Sequence, residues 1–164
     1  MALSHRTYLM ILTFLFSVEW IALAINPYYR NDWALENVLV VIAVIVLAAS
    51  YKYLLLSRIS YTLIFIFLCL HEIGAHYTYA EVPYDAWFMS LTGVTLNDIL
   101  GWQRNNFDRV IHLSYGLLLA YPIREVFLRV ANVSGFWGYF LPLTLTMATS
   151  MMFELFEWGA AEMF

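Results

Sequence analysis

The stretch "VLVVIAVIVLAAS", Val38 to Ser50, decides the fold. It is an unbroken apolar run up to its final Ser50. In water such a run would be a core strand or a buried helix. Its surroundings exclude both. Hydrophobic residues make up 63% of the 164 residues, charged residues 12%, and mean hydropathy is +0.72. Soluble domains carry about 25% charged residues, so this chain cannot cover a soluble surface. The solvent it suits is the bilayer, where outward-facing residues must be apolar. Six Trp and twelve Tyr fit the headgroup boundary.

Spanning takes about 20 mostly apolar helical residues. Five segments qualify: Thr7–Ile25, Val38–Leu56, Ile59–Tyr77, Phe107–Val130 and Phe136–Met163. The expected fold is therefore all-α, a single polytopic membrane domain over residues 1–164. Arg6 before a short apolar core, with "ALA" at Ala22–Ala24, also fits a signal peptide, but Glu19 and Trp20 interrupt that pattern. The one long connection, Thr78–Asn106, is half apolar, contains Trp87 and Trp102, and is punctuated by Pro83, Gly93 and Gly101. One or two short helices lying in the interface are expected there. Arg6, Lys52, Arg58, Arg124 and Arg129 fall on one side, and Arg30, Arg104 and Arg109 on the other. The bias places the N-terminus in the cytoplasm and the long loop outside. No basic run is present, which argues against nucleic acid as a partner. The single cysteine, Cys69, excludes an internal disulfide.

The ionisable residues inside these spans carry the functional signal. Glu19, His71, Glu72, His76, Asp108, His112, Glu154 and Glu157 all fall in the outer half of their helices, and the second span contributes none. Glu72 and His76, and Asp108 and His112, are i,i+4 pairs; Glu154 and Glu157 are i,i+3. Each set shares a helix face. Unpaired charge in hydrocarbon costs several kcal/mol or more, so such residues are functional hypotheses by default. Five acids with neutral histidines would total about −5, which needs cations or protons.

A divalent metal answers that demand, and imidazole with carboxylate suits Zn, Mn or Fe. The expected ligands are His71, His76, Asp108, His112 and Glu157, with Glu72 or Glu154 as general base. A metal-bound water would then attack an ester or phosphoester of a lipid-linked substrate. "HEIGAH" is not a zinc-protease motif, because its histidines are i,i+5. The bland readings are a wetted helix end for His76, a dipole-favoured first-turn acid for Asp108, and protonated or hydrogen-bonded glutamates in "FELFEW". A proton- or cation-coupled transporter and a structural or assembly subunit are the competing functions.

The stretches "NPYYRNDWALEN", "HEIGAHYTYAEVP", "RNNFDRVIHLSYG", "IREVFLR" and "FELFEW" together resemble the YjdF-like family of bacterial inner-membrane proteins. The resemblance runs over nearly the whole chain and implies a helical inner-membrane protein; it supplies no reaction. "DRVIH" followed by Tyr115 is also distantly similar to VanZ-like membrane proteins. The family pattern implies a Gly-Asp-rich segment and a further acid-bearing helix after the Glu pair, beyond the point where "WGAAEMF" ends the sequence.

Overall fold

The computed structural model describes residues 3–163, and of residues 157 and 160–163 the backbone alone. Among the described residues there are seven α-helices and no strand: α1 His5–Leu23, α2 Arg30–Ser50, α3 Arg58–His76, α4 Tyr84–Thr92, α5 Leu96–Leu100, α6 Phe107–Val130 and α7 Trp137–Met163. α1, α2, α3 and α7 are long and apolar enough to cross a membrane. α6 has the length, about 36 Å at 1.5 Å per residue. Its charges, Asp108, Arg109, Arg124, Glu125 and Arg129, gather at its two ends.

Local chemistry sets the boundaries. Ser4 caps α1 by accepting from the Thr7 N–H, and Ser57 caps α3 by accepting from the Ser60 N–H. Gly93 and Gly101 end α4 and α5 in the left-handed region, where a Cβ would be penalised. These two helices are the expected short pair in the long loop, and they expose Trp87, Met89, Leu91 and Ile99. The largest departure from expectation is α2, which begins at Arg30 rather than Val38 and ends at Ser50 rather than Leu56. Hydropathy excludes "RNDWALEN" from a span, but Asp32 suits a first turn and Ala34, Leu35 and Glu36 are good helix formers. Glu36 and Asn37 therefore stand on a spanning helix. The second span does contribute polar groups, contrary to the sequence reading.

α3 is the axis of the bundle. It packs against α1, α2 and α6, and α6 packs in turn against α7. Among the described residues no packing joins α2 to α6 or α7. α3 carries buried Ser60, Leu68, His71, Glu72, Gly74 and Ala75, whereas α1 buries no residue. Elsewhere large apolar side chains point outward, as a lipid-facing surface requires. The small apolar core, Val82, Phe107 and Ile111, lies where the long loop returns over α3 and α6.

Both ends of α3 are tied down. At its start, Glu125 of α6 accepts from the Ser57 backbone N–H at 2.9 Å, from the Ser57 hydroxyl at 2.9 Å, and from the Ser60 hydroxyl. Arg129 pairs with the same carboxylate and donates to the Leu55 carbonyl. Tyr8 and Thr62 share a hydrogen bond, and Arg58 donates to the Leu3 carbonyl, joining α1 to this end. At the other end, His76 Nδ1 meets the Leu23 carbonyl at 2.7 Å and the Tyr28 N–H donates to the His76 carbonyl at 3.0 Å.

Glu125→Gln keeps the shape of this clamp but removes its charge and the ion pair with Arg129. Hydrogen bonds to charged groups contribute about 1.5–3 kcal/mol each. A loss of about 2 kcal/mol is expected, read as earlier unfolding in a denaturant titration of the detergent-solubilised protein.

Candidate functional site

α3 carries its two adjacent polar residues to opposite duties. Successive helical residues are about 100° apart, so His71 and Glu72 face different neighbours. His71 is 6% exposed. Its Nδ1 lies 2.9 Å from the Tyr79 hydroxyl, and its Nε2 lies 3.4 Å from the Glu36 carbonyl and 3.9 Å from Glu36 Oε2. The Tyr79 hydroxyl is also 3.1 Å from Glu36 Oε2, so it bridges the imidazole and the carboxylate.

The chain makes this possible by reversing sharply after α3. Thr78 and Tyr79 are both left-handed, with φ of 55° and 54°. Such residues cost about 1–3 kcal/mol each and persist only where the surroundings hold them. The Tyr79 N–H donates to the Gly74 carbonyl at 2.7 Å, which lays the phenol ring back over α3. Gly74 leaves the room for it: a Cβ there would lie 2.3 Å from the ring.

Glu72 turns away from His71, toward Trp33 and Asn37 of α2 and Glu19 of α1. It is fully buried, and neither carboxylate oxygen closes a hydrogen bond of good geometry. His76 goes elsewhere again. Its Nδ1–H donates to Leu23 and its ring packs edge-on against Tyr77, so it serves as a connector between helices.

On α6 and α7 a second pair forms. His112 Nε2 lies 3.1 Å from Glu154 Oε1. One turn before His112, Asp108 takes Arg104 at 3.1 Å. One turn after it, the Tyr115 hydroxyl meets Thr149 at 2.7 Å, and the Tyr115 ring stands edge-on to Phe67 of α3. Phe67 in turn lies against the His71 ring.

The two pairs share a cavity. Because α2 stays apart from α6 and α7, a groove of about 1020 Å³ runs over α3 between them. Its length is apolar, lined by residues such as Val40, Leu47, Leu56, Ile64 and Val126. Its end nearest the long loop is polar, lined by His71, Tyr79, Asp108, Arg109, His112 and Glu154.

The expected ligand set is thus divided. His71, Asp108, His112 and Glu154 line one groove; Glu72 and His76 do not. The side chain of Glu157 lies outside the described residues. Among the described residues, no three His, Cys, Asp or Glu side chains come together as a metal-holding group. Spacing along a helix establishes a shared face, but not whether a side chain's nearest partner is another ligand or a carbonyl, a phenol or an arginine.

Three groups escaped the sequence reading, Glu36, Asn37 and Tyr79, while Tyr115 entered it only beside the "DRVIH" stretch. The i,i+4 relation of Trp33 and Asn37 was the available sign that "NDWALEN" is helical and faces inward. Tyr79 had no such sign, because its place depends on a left-handed turn between residues that do not favour one.

Residues 8–164 match the family described as "Predicted membrane protein (DUF2238)". The chain is also similar to the inner membrane protein YjdF of Escherichia coli K12, 34% identical over 138 residues. That match covers 84% of this chain and 62% of the relative's length. No solved structure matches.

Gly74→Ala should displace the Tyr79 ring and so act as a remote copy of Tyr79→Phe. In nitrogen-15 NMR of labelled histidines, both variants are expected to move the His71 signals in the same direction and leave those of His112 in place. An unmoved His71 signal in Gly74→Ala would refute the packing of ring on glycine.

Proposed function

Since the chain belongs to the DUF2238 family of membrane proteins, we propose that it is a membrane enzyme acting on the polar end of an amphiphile lodged in the groove. The observation that carries this reading is the groove's division: apolar along its length, with His71, Tyr79, Asp108, Arg109, His112 and Glu154 gathered at one end. An acyl or prenyl chain suits the apolar part, and a head group would then reach the acid–histidine pairs. The location proposed is that of the E. coli relative, the inner membrane. The end carrying Arg6, Lys52, Arg58, Arg124 and Arg129 is assigned to the cytoplasm, which puts the polar end of the groove outside.

The chemistry proposed is general-base hydrolysis at His112. A carboxylate against one ring nitrogen fixes the proton there and leaves the other nitrogen's lone pair free. With Glu154 at Nε2, the free lone pair is on Nδ1. Nδ1 would take a proton from water as the water oxygen bonds to the ester carbon or phosphorus, and return it to the departing oxygen. Tyr79, held by His71 and Glu36, would accept a hydrogen bond from the head group through its phenol oxygen. A divalent Zn, Mn or Fe ion belongs to the same proposal in a second form, with His112 and Glu154 as donors and Asp108 one turn away on the same face. Weighing against a charge relay through the bundle, the groove below His71 is walled by Leu68 and Ile64 of α3 and by Leu56 just before it.

Protein in nanodiscs of phosphatidylethanolamine and phosphatidylglycerol should release head group or fatty acid, detected by mass spectrometry, at a rate cut at least ~100-fold in His112→Ala, the usual range for a general base. Ala43→Phe, which fills the groove wall, should instead reduce co-purifying lipid in native mass spectra. Zinc, manganese or iron present at one per chain in wild type and lost in His112→Ala would make the pair metal ligands. No turnover, no bound lipid and tolerance of both substitutions would sink the enzyme reading in favour of an assembly subunit.

A further inference from the structure

On the other side of the α2–α3 contact from the groove, α1, α2 and α3 meet in a seam that holds a second cavity, a cleft of about 820 Å³. Among the described residues α1 and α2 each pack on α3 without packing on one another along their lengths, so the cleft opens between them. Its walls are apolar, lined by residues such as Leu9, Phe16, Val44, Leu47, Phe65 and Leu68. The Ser17 hydroxyl, which also lines it, is spent on the Thr13 carbonyl at 2.8 Å. At the outer end the Trp20 indole donates to Asn37 Oδ1 across the gap and closes the cleft. At the other end stand Arg6, Tyr51 and Tyr61. Arg6 and Trp20 are about 21 Å apart along α1 at 1.5 Å per residue. One leaflet fills half of a hydrocarbon core roughly 30 Å thick, so the cleft can take a leaflet's acyl chain.

The polar end carries charge of one sign. Arg6, Lys52 and Arg58 stand there, whereas the acids of these three helices, Glu19, Asp32, Glu36 and Glu72, all stand in the opposite halves. Arg58 is occupied: it donates to the Leu3 carbonyl and lies over the Tyr8 ring. Arg6 and Lys52 are exposed and have no carboxylate partner among the described residues. The His5 ring stands edge-on to Tyr61, with centroids 5.8 Å apart, and holds that phenol at the mouth. A guanidinium beside an apolar slot suits an anionic oxygen carried on a hydrocarbon chain, and phosphate is the anion whose geometry it matches. A helix of a second copy would cover the apolar walls but bring no free carboxylate to this depth. Glu125, the acid of α6 at this end, is already taken by Ser57, Ser60 and Arg129.

We propose that this cleft binds one anionic glycerophospholipid of the cytoplasmic leaflet. An acyl chain lies between α1 and α2 as far as Trp20, the phosphate meets the Arg6 guanidinium, and the Tyr51 hydroxyl donates to a phosphate oxygen. Lys52 adds charge that favours a head group of net negative charge over a zwitterion. The site does not depend on the hydrolysis proposed for the groove, and Arg6, Tyr51, Tyr61 and Phe65 line the cleft alone. Val40, Leu47, Ile64 and Leu68 wall both cavities. A lipid in the cleft therefore braces the side chains that separate the two, and gives α2 a support besides α3.

Native mass spectrometry of the delipidated full chain tests this, with phosphatidylglycerol or phosphatidylcholine of matched acyl chains added back. One phosphatidylglycerol retained per chain is expected, in preference to phosphatidylcholine. Arg6→Gln, a change at an exposed position, should weaken that retention about tenfold, the scale of a lost hydrogen bond between charged groups. Ala48→Phe, which fills the cleft and not the groove, should abolish it with Arg6 in place, while Ala43→Phe, which fills the groove, should leave it. If Ala48→Phe does not fold, the Arg6→Gln result and the preference between the two lipids decide. The proposal is overturned by equal retention of the two lipids, which would mean unselective boundary lipid, or by an Arg6→Gln variant that retains phosphatidylglycerol as the wild type does. Loss in Ala43→Phe and not in Ala48→Phe would also overturn it and put the lipid in the groove. A dimer that takes up no phosphatidylglycerol would overturn it in favour of a second copy as the occupant.

Discussion

The start of α3 depends on one carboxylate. A helix begins with N–H groups that have no partner within the helix. The Ser57 hydroxyl oxygen takes the Ser60 N–H, Glu125 accepts from the Ser57 N–H and from both serine hydroxyls, and Arg129 balances its charge. Because Glu125 belongs to α6, the same bonds fix how α6 lies along α3. α7 then follows α6, and α1 follows α3 through Tyr8 and Arg58. The groove exists because, among the described residues, this arrangement leaves α2 apart from α6 and α7.

α3 separates two environments that its sequence sets side by side. His71 and Glu72 differ by one position, and one helical step sends them to opposite flanks. On the groove flank, polar groups are partnered and line the cavity: Tyr79 and His71, both tied to Glu36 behind them, on one wall, His112 and Glu154 on the other. On the seam flank they are closed off, and Glu72 has no partner of good geometry. The first pattern suits chemistry on something that enters.

Much of this was legible in the sequence. The spans follow from apolar length, and α6 begins and ends at the expected residues because Asn106, Asp108 and Arg129 mark its limits. The shared depth of His71, His112 and Glu154 follows from counting 1.5 Å per residue from the loop end. Direction around a helix axis was not legible in the same way. It depends on which neighbour covers each face, and that is set by Glu125 and by the left-handed pair Thr78–Tyr79. The early start of α2 was hidden because hydropathy measures transfer to oil, whereas Asp32, Glu36 and Asn37 sit at the boundary or inside the bundle.

The ties at both ends of α1 and α3 bear on the membrane itself. Each helix has 19 residues, about 28 Å, close to the roughly 30 Å hydrocarbon thickness of a bilayer. Tyr8–Thr62 and Arg58–Leu3 fix one end, and His76–Leu23 the other. The pair cannot slide in register to suit a thicker or thinner bilayer. Mismatch must then be taken up by tilt of the whole pair or by deformation of the lipid, at fractions of a kcal/mol per Å. α1 and α3 thus act as a gauge block, holding the polar layer at a fixed depth below the head groups.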